Sequence, residues 1–370
     1  MTFRFLRPDA SNVWKNKEIL ERFSRYRGII DGKNIARYLI AKTIRCEFDK
    51  NSPIEELEKL LGEKSNEFQE ILNNEDKSLE DRPIQEPCYI DLASHLASKY
   101  LKSCIFCERR CGVNRLKGER GVCFIPEDGY VTSAFLHWGE ESVLIPSGTI
   151  FFQGCNFACV FCQNFDISQS WKKKRKLSDV ARKVKPKELA TIAENLGDKG
   201  AFNINYVGGD PIPNLHLIIK SLNYQTLNIC QLWNSNFFLT EESLNLLIHL
   251  MDFWLPDFKY GNNYCAEKLS GVKDYYNVLK RNLKKIHEHG SGEIIIRHLV
   301  MPNHIECCSK PILEFINEEL PNAVVNIMGQ YRPLFKASEY PEINRTPNST
   351  EMNRVKKYAS ELGILWRPVS

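Results

Sequence analysis

Three cysteines within eight residues constrain this chain more than any other feature. They are Cys155, Cys159 and Cys162 in Gly-Cys-Asn-Phe-Ala-Cys-Val-Phe-Cys-Gln-Asn, a Cys-x3-Cys-x2-Cys spacing. Four thiolates would close a tetrahedral zinc site or ligate every iron of a cluster. Three on one short loop predict a [4Fe–4S] cluster with one iron left open, where a substrate or cofactor can bind directly. The competing readings are buried free cysteines and three quarters of a zinc site. The flanks favour the cluster. Gly154 lends the loop backbone freedom, and Gln163 and Asn164 carry amides able to donate to sulfides and tune a reduction potential.

Length and composition set the frame around this loop. A chain of 370 residues accommodates one large domain of roughly 200–250 residues plus an extra module. Its net charge of +4 is too mild to argue for nucleic-acid binding. No apolar run reaches the ~18–20 residues of a membrane span. The start, Met1-Thr2-Phe3-Arg4-Phe5-Leu6-Arg7-Pro8, lacks the apolar stretch of a secretory signal. The expectation is a cytoplasmic protein with neither a membrane nor a nucleic-acid partner. Of 13 cysteines, seven fall between positions 104 and 162. Short spacings without a signal peptide read as metal ligation rather than a disulfide framework.

Periodicity divides the chain into three parts. Residues 1–100 form a mostly helical N-terminal region, with helical spacing over Glu18–Arg27 and Ile35–Cys46, a helix start at Ser52-Pro53, and another helix over Asp91–Leu101. The polar stretch Asn74–Glu86, with Pro83, reads as a linker. Residues 101–147 are a cysteine-rich, metal-binding segment, and 148–370 a partial barrel. In that last part strands are expected at Thr149–Gln153, Phe202–Val207, Leu227–Trp233, Asp252–Phe258, Glu293–Val300 and Ala323–Met328. Helical patterns alternate with them, one capped by Thr240. The expected fold class is α/β, a partial (β/α)6 barrel with a helical and cysteine-rich N-terminal extension.

Each chemically distinctive segment follows the C-terminal end of an expected strand. Cys155 follows the first, Gly208-Gly209-Asp210-Pro211 the second and Asn234-Ser235-Asn236 the third. Asp257-Phe258-Lys259 ends the fourth, Met301-Pro302-Asn303 follows the fifth, and Gln330-Tyr331-Arg332 the sixth. In a parallel barrel these ends share one face, where active sites form. Asp257 and Lys259, two apart on a strand, point to one side.

These segments, in this order, resemble the radical S-adenosylmethionine (SAM) superfamily. From about residue 104 to 365 the likeness is to the pyruvate formate-lyase activating enzyme-related group of iron–sulfur proteins. It rests on Gly-Thr-Ile-Phe-Phe-Gln-Gly-Cys at 148–155, Asn-Tyr-Val-Gly-Gly-Asp-Pro at 205–211 and Trp-Asn-Ser-Asn at 233–236. Leu-Pro-Asp-Phe-Lys-Tyr-Gly-Asn at 255–262, Arg-His-Leu-Val-Met-Pro-Asn at 297–303 and Gln-Tyr-Arg-Pro at 330–333 extend it. The resemblance implies that SAM chelates the open iron and is reductively cleaved to a 5′-deoxyadenosyl radical. That radical takes hydrogen from a protein, peptide or small molecule, with glycyl-radical activation as one instance. Such an oxidoreductase draws its electron from a reductant such as flavodoxin or ferredoxin. By the same resemblance Phe161 lies near adenine, Gly208, Gly209 and Asp210 approach the methionyl part, and Asn234 and Asn236 contact SAM. Lys259 pairs with its carboxylate beside Asp257. Three departures stand out. Asp210 replaces the family's glutamate, and Asn234 a more usual aspartate. Gln330 stands where a SAM-contacting histidine is expected.

A second group, Cys104-x2-Cys107-x3-Cys111-x11-Cys123, has spacings that close a metal site, either zinc or a second iron–sulfur cluster. Arg109, Arg110, Arg115 and Arg120 would offset thiolate charge. Cys307-Cys308 reads as packing, and Cys46, Cys88, Cys230 and Cys265 as buried small residues. The basic run Lys172-Lys173-Lys174-Arg175-Lys176 reads as a solvated loop, and His137-Trp138-Gly139-Glu140-Glu141 has no assigned role. The alternative to an enzyme is an iron–sulfur or zinc protein for electron transfer or scaffolding. That would explain the cysteines but not the glycine pair, Asp257 and Lys259 at neighbouring strand ends.

Overall fold

The computed structural model describes residues 7–73, 82–169 and 176–369. The basic run at 172–175 and most of the linker expected at 74–86 lie outside them. Six parallel strands follow one another in space: β2 (Ser147–Phe152), β4 (Asn203–Gly208), β5 (Cys230–Ser235), β6 (Phe253–Pro256), β7 (Ile295–Leu299) and β8 (Val324–Met328). Parallel bridges Trp254–Ile294 and Asp257–Arg297 join β6 to β7. The expected partial (β/α)6 barrel is therefore present. Two strands absent from the sequence reading extend the β2 edge. They are β1 (Gly129–His137), antiparallel to β2, and β3 (Arg182–Val184), antiparallel to β1.

Alternation along the strands explains how the barrel is filled. Cys230 and Leu232 of β5, Phe253 and Leu255 of β6, Ile295 of β7 and Val324 of β8 share one buried cluster. Side chains two apart on a strand share a face. That face is occupied by Val13, Ile19, Phe23, Tyr26 and Ile29 from the first helical segments, notably Lys17–Arg22 and Ser24–Ile30. The N-terminal region thus supplies the floor of the barrel. Continuing the same alternation upward reaches Asn234, Asp257 and Arg297 in the parity of Leu232, Leu255 and Ile295. The inner face turns from apolar at the floor to polar at the C-terminal ends. The opposite face, with Trp233, Trp254, Ile294, Ile296, Val325 and Ile327, packs in the main core with the surrounding helices.

Outside lie the helices Ile54–Asn73 and Tyr89–Tyr100, then Pro186–Asp198, Leu215–Leu222, Glu241–Leu247, Tyr275–His289, Lys310–Glu319 and Ser349–Glu361. Thr240 caps its helix by accepting from the Ser243 N–H at 3.3 Å, as its position predicts. No helix among the described residues is long and apolar enough to cross a membrane.

One buried acid fastens the floor. Both Glu293 oxygens accept from the Tyr26 N–H, at 2.9 and 3.0 Å. Burial pushes the Glu293 carboxyl up to about 8. A carboxyl with a raised folded-state pKa ionises first in the unfolded chain, so its contribution to stability falls as pH climbs from the ordinary carboxyl range towards 8. Glu293→Gln keeps an acceptor for Tyr26 and removes the titration. The stability of this variant relative to the parent should rise across that window, read from urea midpoints at about pH 5 and about pH 8. A pH-independent difference would clear Glu293 of this role.

Candidate functional site

The strand ends surround a cavity of about 440 Å³. Its lining includes Cys155, Cys159, Cys162, Phe161, Gly208, Gly209, Asp210, Asn234, Asn236, Asp257, Lys259 and Gln330. Every residue that the sequence placed at the SAM site, from five different loops, meets in this one space.

The cluster loop is held from several sides. Cys155 Sγ accepts from the Phe157 N–H at 3.3 Å, and the Asn236 amide lies 3.8 Å away. Cys159 Sγ accepts from Ser270 Oγ at 2.9 Å. Ala158 and Val160 donate their N–H groups to the carbonyls of Ser270 and Leu269. Gln163 spends its amide on the Gln330 carbonyl, at 3.0 Å, so it ties the loop to the end of β8. Burial raises the Cys155 thiol, with the Asp210 charge adding to it, and pushes Cys159 up to about 11. Protonated buried thiols gain little from these donors; iron-bound thiolates gain much, since coordination deprotonates a thiol outright. The three thiols, their donors and the polar cavity beside them fit a [4Fe–4S] cluster with an open iron.

The glycine pair lines the cavity and also packs closely on protein. A Cβ on Gly208, whose φ is +134°, would lie 2.2 Å from the Phe152 nitrogen. One on Gly209 would lie 2.2 Å from the Gly154 carbonyl oxygen. The loop after β4 can thus press onto the start of the cluster loop. Asp210 then accepts from the Ile212 N–H at 3.0 Å and the Asn236 N–H at 2.8 Å. Its carboxyl, pushed up to about 7 by burial, braces two loops. Asn236 is similarly occupied, donating to Asn156 Oδ1 at 2.6 Å and accepting from the Phe238 N–H at 3.1 Å.

Other groups face the cavity with capacity to spare. Asn234 accepts from Arg297 at 3.1 Å, while its Nδ2 is buried without a hydrogen-bond partner among the described residues. Such a donor calls for a partner, a water or a bound molecule. Lys259 pairs with Asp257 at 2.6 Å. Burial works against its ammonium, but Asp257 and Cys159 outweigh that and raise its pKa. Strand β6 ends at Pro256, short of the expected Phe258, but Asp257 and Lys259 still reach the same cavity. Phe161 is buried, edge-on to Tyr331 at 5.4 Å.

Sequence reasoning missed an ion network at the cavity wall. Glu140 and Glu141 are buried. Arg297 lies 3.9 Å from Glu140 and 3.4 Å from Glu141, and His137 is 3.1 Å from Glu140. Asn205 and Asn326 donate to the two carboxylates at 3.2 and 2.7 Å. Burial disfavours the Glu140 charge, but His137 and Arg297 prevail and lower its pKa; burial wins at Glu141 and raises it. The Gly-Glu-Glu segment and Arg297 were legible as residues, but nothing in their spacing pairs them.

The second cysteine group lines its own small cavity. Cys104, Cys107, Cys111 and Cys123 surround it together with Arg115 and Asn156. Arg115 is buried, 3.9 Å from Cys104 Sγ. The group abuts the first, because a Cβ on Gly154 would lie 2.8 Å from the Cys123 carbonyl oxygen. Arg109 also donates to the Asn156 carbonyl at 2.5 Å.

The cluster loop lies within the span of a known family model. The model of the radical SAM superfamily matches residues 149–316. An uncharacterized protein of Methanocaldococcus jannaschii is 44% identical over 343 residues, 93% of this chain and 98% of that one. Residues 149–316 thus form a radical SAM superfamily domain. Among solved structures, Streptococcus suis SuiB bound to precursor peptide SuiA is 16% identical with a TM-score of 0.40, covering 56% of this chain and 43% of its own. The chain thus spans less than half the length of SuiB. A radical SAM methyltransferase from Sphaerobacter thermophilus is 11% identical with a TM-score of 0.42, covering 63% and 67%.

Gly208→Ala tests the packing at the site. It should cost about 1–3 kcal/mol from overpacking against Phe152, plus the strain of its positive φ, seen as a lowered thermal midpoint. An unchanged midpoint would mean that the two loops do not meet this closely.

Proposed function

We propose that this protein binds S-adenosylmethionine at the cavity beside Cys155, Cys159 and Cys162 and modifies a protein or peptide by hydrogen abstraction. When bound, the cluster and SAM supply one-electron cleavage of a carbon–sulfur bond. The chain's residues hold and enclose them. Lys259, kept charged by Asp257, takes the carboxylate of SAM. The free Asn234 Nδ2 donates a further hydrogen bond, and Phe161 borders the adenine. The N-terminal floor keeps water out from below. The observation that carries the reading is the meeting of three cluster thiols with a charged lysine and an unpartnered buried amide in one cavity. We infer a peptide-sized substrate that would use the exposed apolar edge beside the cavity, where Phe135 of β1 stacks on the cavity residue Phe151 at 5.5 Å. Activation of a glycyl-radical enzyme is one reaction of this class, and a reductant such as flavodoxin or ferredoxin would feed it.

Anaerobic reconstitution with iron and sulfide, followed by dithionite and SAM, should yield 5′-deoxyadenosine, and Cys159→Ala should abolish it. A fully loaded protein that forms none, with candidate peptides present, leaves only the electron-transfer or scaffold reading.

The same geometry favours an iron–sulfur cluster at Cys104, Cys107, Cys111 and Cys123. These four thiols line one shared cavity, as ligands disposed around a multi-iron cluster would. A Cys155/Cys159/Cys162 triple-Ala variant should retain about four irons per chain. Loss of all iron would reject the second cluster.

A further inference from the structure

Away from the cavity, four metal-ligating side chains converge where the segments after β6 and β7 meet. Cys265 belongs to the helix Asn263–Ser270; His304 precedes the π-helical turn Ile305–Ser309 that carries Cys307 and Cys308. Cys265 Sγ lies 3.6 Å from His304 Nδ1 and 3.9 Å from Cys307 Sγ. Cys307 Sγ lies 3.4 Å from His304 Nδ1 and 3.8 Å from Cys308 Sγ. Cys308 Sγ is 3.7 Å from His304 Nδ1, and all four donor atoms lie within 4.8 Å of one another.

These lengths are the edges of a metal tetrahedron. With Zn–S of ~2.3 Å and Zn–N of ~2.0–2.1 Å, tetrahedral geometry gives S···S edges near ~3.8 Å and S···N edges near ~3.6 Å. The five edges quoted above match to within about 0.2 Å. A disulfide would bring one sulfur pair to ~2.05 Å, and ordinary packing would place carbon, not three further donors, around each sulfur. We propose that Cys265, His304, Cys307 and Cys308 bind one zinc ion in a closed Cys3His site. A tetrahedral set of three thiolates and an imidazole is the set that selects zinc.

The surroundings suit that charge. Asn262 Nδ2 lies 3.4 Å from Cys265 Sγ and 3.9 Å from Cys308 Sγ, and it donates to the Cys307 carbonyl at 2.7 Å. Its Oδ1 accepts from the Cys265 N–H at 2.8 Å. Supporting donors of this kind orient metal ligands. Gly261 allows the approach, since a Cβ there would sit 2.5 Å from the Cys308 carbonyl oxygen. Adjacency of Cys307 and Cys308 argued for packing in the sequence. Counted from His304 they are i+3 and i+4, and a helical turn presents all three on one side.

The ion would clamp the helix Asn263–Ser270, whose far end donates to Cys159 and accepts from the cluster loop. Elemental analysis of the full-length protein, purified from zinc-supplemented medium, should show one zinc more per chain than Cys307→Ala/Cys308→Ala. The His304→Cys variant, which keeps four donors, should retain that ion and stays informative if the double variant fails to fold. Exposed Cys307 should resist iodoacetamide in the native protein and react once a zinc chelator is added. Equal zinc in parent and double variant, loss of the ion from His304→Cys, or immediate alkylation of Cys307 would each overturn the proposal.

Discussion

The alternation of side chains across parallel strands is the constraint on which the rest depends. Because residues two apart share a face, the run from Leu232 to Asn234, Leu255 to Asp257 and Ile295 to Arg297 sets an apolar floor beneath a polar rim. The floor is apolar enough to need a partner, and the segments carrying Phe23, Tyr26 and Ile29 fill it. The rim is polar enough to need compensation, and charges pair across strands there, as in Arg297 with Glu140, Glu141 and Asp257. Site and scaffold are two ends of one pattern.

Above the rim, the cluster loop is positioned by neighbours that have little chemistry of their own. Gly208 and Gly209 permit contact with β2 and Gly154, Asp210 binds two loops through backbone amides, and Ser270 reaches Cys159 from a separate helix. These groups hold protein to protein at the same place where they line the cavity. Lys259 with Asp257, Asn234 and Phe161 retain the freedom to meet a bound molecule.

The strand order and the membership of the cavity were legible in the sequence. Each motif follows a strand end, and in a parallel sheet strand ends converge. The roles within the cavity were less legible. Gly208 and Asp210 line the cavity, and they also meet Phe152 and the Asn236 N–H, contacts that no local pattern announces. Strand β1 was missed because its exposed Ser133, Ala134 and Phe135 break the alternation of a half-buried strand. The Glu140–Arg297 and Cys265–His304 pairings were hidden for a different reason. They join residues 157 and 39 positions apart, and no local pattern encodes such a distance.

The N-terminal floor bears on the modularity of the barrel. The span matched by the superfamily model begins at residue 149 and leaves behind Val13, Ile19, Phe23, Tyr26 and Ile29, which pack against Cys230, Leu232, Phe253, Leu255, Ile295 and Val324. Excised at that boundary, the barrel would present this greasy underside to solvent, and its polar rim would lose its support from beneath. The catalytic half of this chain is therefore not a portable cassette. A graft onto another scaffold would have to bring its own stopper.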